Sequence, residues 1–272
     1  MNIIQLHERV RFWVDVVSST RFESEDIDNG LNVAIDNKVR ESYDQNRPMN
    51  KSDSFQRVQR LRDELGPLTQ SLFMSDEDGY DDDGINTLPA DYGWMLGLEL
   101  RTPETINHDA AWHPAYPMTY NRKGVLERNP FRRPRNKPSS KYYYIERDGE
   151  IQFIGPENYT FNGVRLSYLA TPEIVNYGIE YTSGHSFAYT SVVIAVEETV
   201  YNTNTYKIGD EITIIPGGGQ GITSGRVVFG YTECDVRATT HEEIARRAAI
   251  NLLLTSDQFD KAKALREEIL AS

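Results

Sequence analysis

Residues 142–154 read YYYIERDGEIQFI. Two runs rich in aromatic and branched residues flank Asp148-Gly149, the dipeptide that supplies the positive φ angles of a two-residue type I′ turn. In that register Arg147 faces Glu150 and Tyr144 faces Phe153, so a charge pair and an aromatic pair both support one alignment. The stretch therefore predicts a β-hairpin near the middle of the chain.

Strands are also expected on the C-terminal side, at Val164–Ala170, Ile179–Tyr181, Ser191–Glu197, Glu211–Ile215 and Arg226–Tyr231. Turn signals at Asn202–Thr205, at Ile208-Gly209-Asp210 and in the glycine run Gly217–Gly221 separate them. Residues 182–231 read as a small inserted β unit, of the size of a small barrel. On the N-terminal side, Trp94–Leu100 fits either a strand or a short helix, and His108–Pro117 is turn-rich.

The ends of the chain carry a different period. Ile3, Leu6, Val10, Trp13 and Val17 fall three and four apart and predict a helix over residues 3–17. Leu31, Ile35, Val39 and Tyr43 predict a second, with Asp28 or Asn29 as N-cap. Phe55, Val58, Leu61, Leu65, Leu68 and Leu72 predict a third, interrupted at Gly66-Pro67. Near the C-terminus, Thr240 and Glu243 match a capping box ahead of Ile244, Ala248 and Leu252, and Ser256-Asp257 restarts the pattern toward Phe259, Ala262, Leu265 and Ile269. The order is helices, β, helices, which is the α+β class. The expected division is 1–75 together with 240–272 as a helical part, 88–181 as a core β region, and 182–231 as the insertion.

The chain is acidic, with a net charge of −12 over 272 residues. One segment runs against that balance: residues 1–121 carry −11, residues 122–141 carry +7, and residues 142–272 carry −8. The basic strip, RKGVLERNPFRRPRNKPSSK, is punctuated by Pro130, Pro134 and Pro138, which predicts an extended arm with fanned side chains. General nucleic-acid binding does not suit so acidic a chain, and any such contact would be local. Sixteen tyrosines against an apolar fraction of 39% suit half-buried and interfacial surfaces. A lone Cys234 excludes an internal disulfide and a cysteine-based zinc site. The apolar N-terminal stretch contains charges, so a signal peptide or membrane span is not expected, and the chain reads as a soluble cytoplasmic product.

Catalytic and metal motifs fail on inspection. Residues Asp76–Asp83 resemble a calcium loop in composition, yet starting at Asp76 or Asp78 puts Asp81 or Asp83 where the loop needs glycine. His241-Glu242-Glu243-Ile244-Ala245 opens like a zinc-protease motif and ends on alanine. His108 and His113 are five apart, a spacing that suits one face of neither a helix nor a strand. Pro216–Gly225 lacks the Lys-Ser/Thr pair of a phosphate-binding loop and leads into a strand. No nucleophile elbow is present. No cofactor, metal or catalytic residue is expected.

Several pieces, in order, resemble virion proteins of tailed bacteriophages, especially neck and tail-ring subunits of the crAss-like phages. They are Leu88-Pro89-Ala90-Asp91-Tyr92, Asn129-Pro130-Phe131-Arg132-Arg133-Pro134, the hairpin leading into Phe153-Ile154-Gly155-Pro156, Leu166-Ser167-Tyr168-Leu169-Ala170-Thr171-Pro172 and Thr240-His241-Glu242-Glu243-Ile244-Ala245. They span about 88–255, while residues 1–75 match only in being helical. The resemblance implies a non-enzymatic virion protein: a ring of twelve copies between portal and tail, contacting the portal and other neck or tail proteins and framing a DNA channel, made in the host cytoplasm. The stretch 182–231 departs from that pattern and leaves the place along the axis open. Under this reading Arg128, Arg132, Arg133, Arg135 and Lys137, with Tyr142 and Tyr144, form a subunit interface, and contact with duplex DNA is the second choice. A β-rich tail protein that binds carbohydrate or a receptor through its aromatics is the alternative; a hydrolase built from dispersed carboxylates is a third.

Overall fold

The computed structural model describes residues 1–14, 22–46, 63–74, 80–81, 84–85, 87–102, 111–128, 141–147, 149–154, 161–182, 187, 189–215, 222–256 and 258–271. The fold is α+β, as the alternation of hydrophobic periods predicts. The chain divides into two compact units, Leu68–Thr171 and a second built from Met1–Pro67 with Pro172–Ser272.

The central unit is an eight-stranded sheet. Its strands are β1 (Thr69–Met74), β2 (Tyr80–Asp81), β3 (Gly84–Ile85), β4 (Tyr92–Arg101), β5 (Trp112–Pro117), β6 (Tyr142–Arg147), β7 (Glu150–Ile154) and β8 (Gly163–Ala170), in the spatial order β1-β8-β4-β5-β6-β7-β3-β2. The hairpin β6–β7 forms in the expected register, with Arg147 opposite Glu150 and Tyr144 opposite Phe153. Gly149 takes a φ of 85°, which only glycine adopts without strain. Alternate residues of β8 and β6, such as Val164, Leu166 and Tyr168 and Tyr142 and Tyr144, enter one buried cluster with Leu98, Leu100, Ile151 and Phe161. The intervening Tyr143 and Ile145 pack with Ile154 and Met118 in a second, because successive strand residues point to opposite faces.

Trp94–Leu100 is resolved as strand, within β4. Register shifts occur between Tyr92 and Trp94 and between Met95 and Gly97, and this irregularity blurs the period in the sequence. A side chain at Gly93 would stand 2.9 Å from the Leu169 carbonyl, so the close approach of β8 requires glycine there. Strand β5 corrects the turn-rich reading of His108–Pro117 over its second half; residues 103–110 lie outside the described residues. It runs parallel to β6, and the connection between them begins with helix α3 (Tyr120–Arg128). That helix corrects the extended reading of the basic arm for residues 122–128; residues 129–140 lie outside the described residues.

The predicted third helix is corrected as well. Residues 63–65 are helical, Gly66–Leu68 tighten into a 3-10 turn, and Leu72 lies in β1, opposite Leu166 of β8. Gly66-Pro67 ends the helix and frees the next six residues to pair. Phe55, Val58 and Leu61 lie outside the described residues, as does most of the acidic run 75–83.

The second unit joins both ends of the chain. Helix α1 (Ile3–Val14) and helix α2 (Ser24–Asn46) pack on α4 (His241–Thr255), which also carries α5 (Phe259–Ala271). Helix α2 begins earlier than Asp28, with Glu25 and Asp26 in its first turn, where acidic groups favour the helix dipole. The capping box at α4 does not form. Thr240 sits in a 3-10 turn with helical angles and its hydroxyl donates to the Arg237 carbonyl, while Glu243 turns to cations instead.

The remaining strands are β9 (Ile179–Thr182), β10 (Ser191–Ala195), β11 (Thr199–Tyr201), β12 (Asn204–Tyr206), β13 (Glu211–Ile214), β14 (Ile222–Ser224) and β15 (Arg226–Phe229). They form two small antiparallel sheets, β13-β10-β15-β9 and β12-β11-β14. Val193, Ala195, Ile212, Ile214 and Val227 from the first share a core with Tyr201 and Ile222 from the second. Asn202 and Thr203 both have positive φ, 50° and 67°, so β11 and β12 close through the turn that the sequence marks there. The expected boundary near 181 moves to Thr171, because β9 pairs with β15 and not with the central sheet.

Candidate functional site

Three groups of polar side chains stand out in the second unit. In the first, helix α4 presents consecutive carboxylates to cations on its neighbours. Glu242 accepts from Arg9 Nε at 2.6 Å and Trp13 Nε1 at 2.9 Å, with Arg246 at 3.4 Å. Glu243 meets Lys38 at 2.9 Å and Arg247 at 2.6 Å, and Arg247 also meets Glu41 at 2.6 Å. Burial pushes both carboxyls up, but these cations and donors outweigh it and hold each below the ordinary carboxylate range. The network ties α1 and α2 to α4.

The second group is buried. His7 Nε2 lies 2.8 Å from Asp28 Oδ1, and the same carboxylate accepts the Tyr177 amide at 2.9 Å. The His7 and Tyr177 rings stand 4.5 Å apart, and the Tyr177 hydroxyl donates to Glu180 at 2.9 Å. Burial lowers the His7 pKa against the opposing pull of Asp28, so the imidazole is neutral near pH 7. Asp28 selects the tautomer with its proton on Nε2, which leaves the buried Nδ1 as a bare lone pair without a donor. A histidine–aspartate pair is a familiar element of proton transfer. Here His7 is fully buried, and its ring faces a tyrosine that is itself engaged. The pair fastens α1 and α2 to the segment before β9.

The third group is a shallow pocket of about 510 Å³ beside β15, lined by Glu173, Val192, Phe229, Tyr231, Glu233 and Asp235. Asp235 accepts the Glu173 amide at 3.2 Å and Glu233 accepts the Ile3 amide at 3.3 Å. The Tyr231 hydroxyl donates to Glu211 at 3.1 Å, and burial with that bond pushes its pKa up to about 12. Burial raises the Glu233 carboxyl. Among the described residues no lysine or arginine pairs with Glu173, Glu233 or Asp235. Two apolar side chains of the lining lie open: Val192 is 46% exposed and Phe229 38%. A larger cleft of about 690 Å³ lies among Ala34, Ile250, Leu254 and Arg266, but its Arg247 is already held by Glu41 and Glu243.

The residues expected at an interface are placed unevenly. Arg128 ends α3, and Arg132, Arg133, Arg135 and Lys137 lie outside the described residues. Tyr142 and Tyr144 are 0% and 6% exposed and belong to the core of the central sheet, so neither ring is offered to a neighbour. Their alternation in β6 signals this inward face. The pocket carboxylates escape sequence reading because they come from two separate irregular segments, at 173 and 233–235, in a chain with 41 acidic residues. Among the described residues no group of three or more His, Cys, Asp or Glu side chains is arranged to hold a metal, and no helix is long and apolar enough to cross a membrane.

Fold and surface together describe a two-unit α+β protein with an eight-stranded sheet and an acidic, partly apolar pocket on its second unit. No protein-family model matches the chain, and no curated protein matches it.

Proposed function

We propose that this chain is a non-enzymatic structural subunit of a self-assembling ring, joining the portal to the tail of a double-stranded DNA bacteriophage and framing the channel. The observation that carries the assembly part is the amount of large apolar surface left open on one small β region. Ile179 is 62% exposed and stands opposite the open Phe229, and Tyr189 and Ile174, in the same unit, are 80% and 76% exposed. Exposed apolar side chains in this number suit a surface that another protein covers. Separately, β1 ends the order of the eight-stranded sheet among the described residues, with Leu72 and Phe73 exposed. The phage setting, the portal and tail partners, the twelve copies and the virion location rest on the sequence resemblance. A closed ring uses heterologous contacts, one surface against a different one, and two unlike open surfaces suit that geometry.

The test is the mass of the purified chain, alone and with portal and tail proteins. High-order rings, alone or on the portal, support the reading; a monomer under all three conditions removes it. Saturable glycan binding by a small defined oligomer would favour the carbohydrate-binding alternative.

A further inference from the structure

Helix α1 is tied to its neighbours through two buried histidines, and both are bonded in a way that suits only the neutral ring. His7 of α1 and His241 of α4 are 0% and 5% exposed. His7 Nε2 donates to Asp28 of α2, and its Nδ1 is buried with no hydrogen-bond partner among the described residues. His241 Nε2 lies 2.7 Å from the Val236 carbonyl, an oxygen that can only accept, so the proton sits on Nε2 and Nδ1 is a lone pair. That lone pair accepts from the Met1 nitrogen at 3.1 Å, just ahead of α1.

A second proton has no place on either ring while α1 is docked. On His7 it would put an N–H donor into the packed interior without an acceptor; Asp28 attracts the charged ring but reaches only the other nitrogen. On His241 it would set two donors against each other and break the bond from Met1. Lifting α1 away gives both rings to water, where each takes up a proton below the ordinary 6.5. Both docked pKa values lie below 6.5, so docking is fully stabilised above 6.5 and weakens as pH falls toward them.

The surrounding charges leave this balance with the histidines. Arg11 of α1 faces His7 and opposes its charge, and Tyr177, Glu180 and Arg226 form a hydrogen-bonded chain of their own beside it. Glu242 of α4 binds Arg9 and Trp13 further along α1, with Arg246 beside it, and is held below 4.5. Near Met1 stand Cys234, whose thiol is pushed up to about 11, and Glu233, whose carboxyl burial raises; a proton on Glu233 favours the docked state and works against release. Asn2, which donates to the Gly209 carbonyl at 2.9 Å, does not titrate.

We propose that α1 is an acid-sensitive clasp: as His7 and His241 take up protons the helix leaves α2 and α4 and uncovers the apolar stripe of Ile3, Leu6, Val10 and Val14, while the strands stay folded. The device does not depend on the ring reading. Its window runs from 6.5 down toward 4.5, above the point at which Glu242 is neutralised.

The test is amide hydrogen exchange of the full chain read by mass spectrometry from about pH 7 to about pH 5, corrected for the intrinsic pH dependence of exchange. We expect protection of α1 to fall by at least about tenfold, since each histidine can contribute up to about tenfold per pH unit below 6.5. Protection of β6, β7 and β8, and of β10 and β13 in the same unit as α1, should hold. Unchanged protection of α1, or equal loss in those strands, overturns the proposal. In H7Q/H241Q, where glutamine keeps a donor for Asp28 and for the Val236 carbonyl, the pH dependence of α1 should disappear; its persistence overturns the assignment to these rings. Histidine ring resonances of the wild type, assigned with the single variants, serve even where the double variant has lost α1 docking at neutral pH. Both rings should titrate below 6.5, and a ring that titrates at or above 6.5 overturns its part in the clasp.

Discussion

The helical layer around α4 and the pocket beside β15 use the same side chains to opposite ends. In the helical layer a carboxylate is placed where a cation from another helix reaches it, as Arg9 reaches Glu242 and Lys38 reaches Glu243. In the pocket Glu233 and Asp235 accept backbone amides, Glu233 also feels the terminal amino group and Glu211, and burial pushes it toward its neutral form. The difference separates acids answered by side-chain cations of neighbouring helices from acids answered by backbone amides. Abundance of Asp and Glu says little in such a sequence; the presence or absence of a partner says much.

The sharpest way to break that contrast is at Asp28. Asp28→Ala leaves the buried His7 ring and the Tyr177 amide without their acceptor, and two unmet buried groups should cost about 2–4 kcal/mol in urea unfolding. An unchanged unfolding midpoint would show that His7 and Asp28 do not fasten the helices.

A smaller loss is expected at Glu242. Its partner Arg9 is well exposed, so solvent screens the pair, and Glu242→Ala should cost about 1 kcal/mol including the bond from Trp13. That loss should shrink in 1 M salt.

Acid titration tests both populations at once. The folded pKa of His7 lies below its ordinary 6.5, so its neutral form stabilises the fold fully above that value and the contribution is lost as pH falls toward the folded pKa. Glu242 and Glu243, held below 4.5, contribute above that value and lose it as pH falls through their folded pKa. Glu233 has the opposite sign. Burial raises it, against the Ile3 amide and the terminal amino group, so its ionised form opposes folding at pH 7 and the penalty is relieved as pH falls toward 4.5. Wild-type stability should therefore decline from pH 7 to 4. The Glu233→Gln variant should decline more steeply, since it lacks the relief; parallel curves would contradict the assignment.

The least effect is expected from Glu233→Gln at pH 7. The amide retains an acceptor for Ile3, so the change should lie between zero and a gain of about 0.5 kcal/mol. A clear loss would mean that the charge at this position supports the fold.

Legibility in the sequence followed how local the determining forces are. The hairpin at 142–154 is written in its own residues: turn, charge pair and aromatic pair lie within thirteen positions, and the observed register agrees. The two C-terminal helices, α4 and α5, are likewise carried by local period, and α4 ends at Thr255, next to the expected break, whose Asp257 lies outside the described residues. Leu72 shows the contrary case. Its apolar spacing continues a helical stripe, yet Thr69–Met74 is strand because β8 offers a partner almost a hundred residues away along the chain. Trp112–Pro117 is similar, a proline-containing segment that pairs with β4 on one side and β6 on the other. The capping box at Thr240 failed for a related reason: Lys38 of α2 and Arg247 claim Glu243, and a 3-10 turn takes the threonine hydroxyl.

By itself, then, the sequence determined the α+β class, the central hairpin and its register, and the concentration of positive charge in one strip of an acidic chain. Those properties depend on neighbours within one or two turns of chain, where propensity and side-chain period act. Tertiary structure decided that both ends of the chain and residues 172–239 form one unit, that Tyr142 and Tyr144 are core, and that Glu173, Glu233 and Asp235 meet around one pocket. These outcomes depend on pairing and burial between segments far apart in sequence, and such contacts leave no periodic trace in either partner alone.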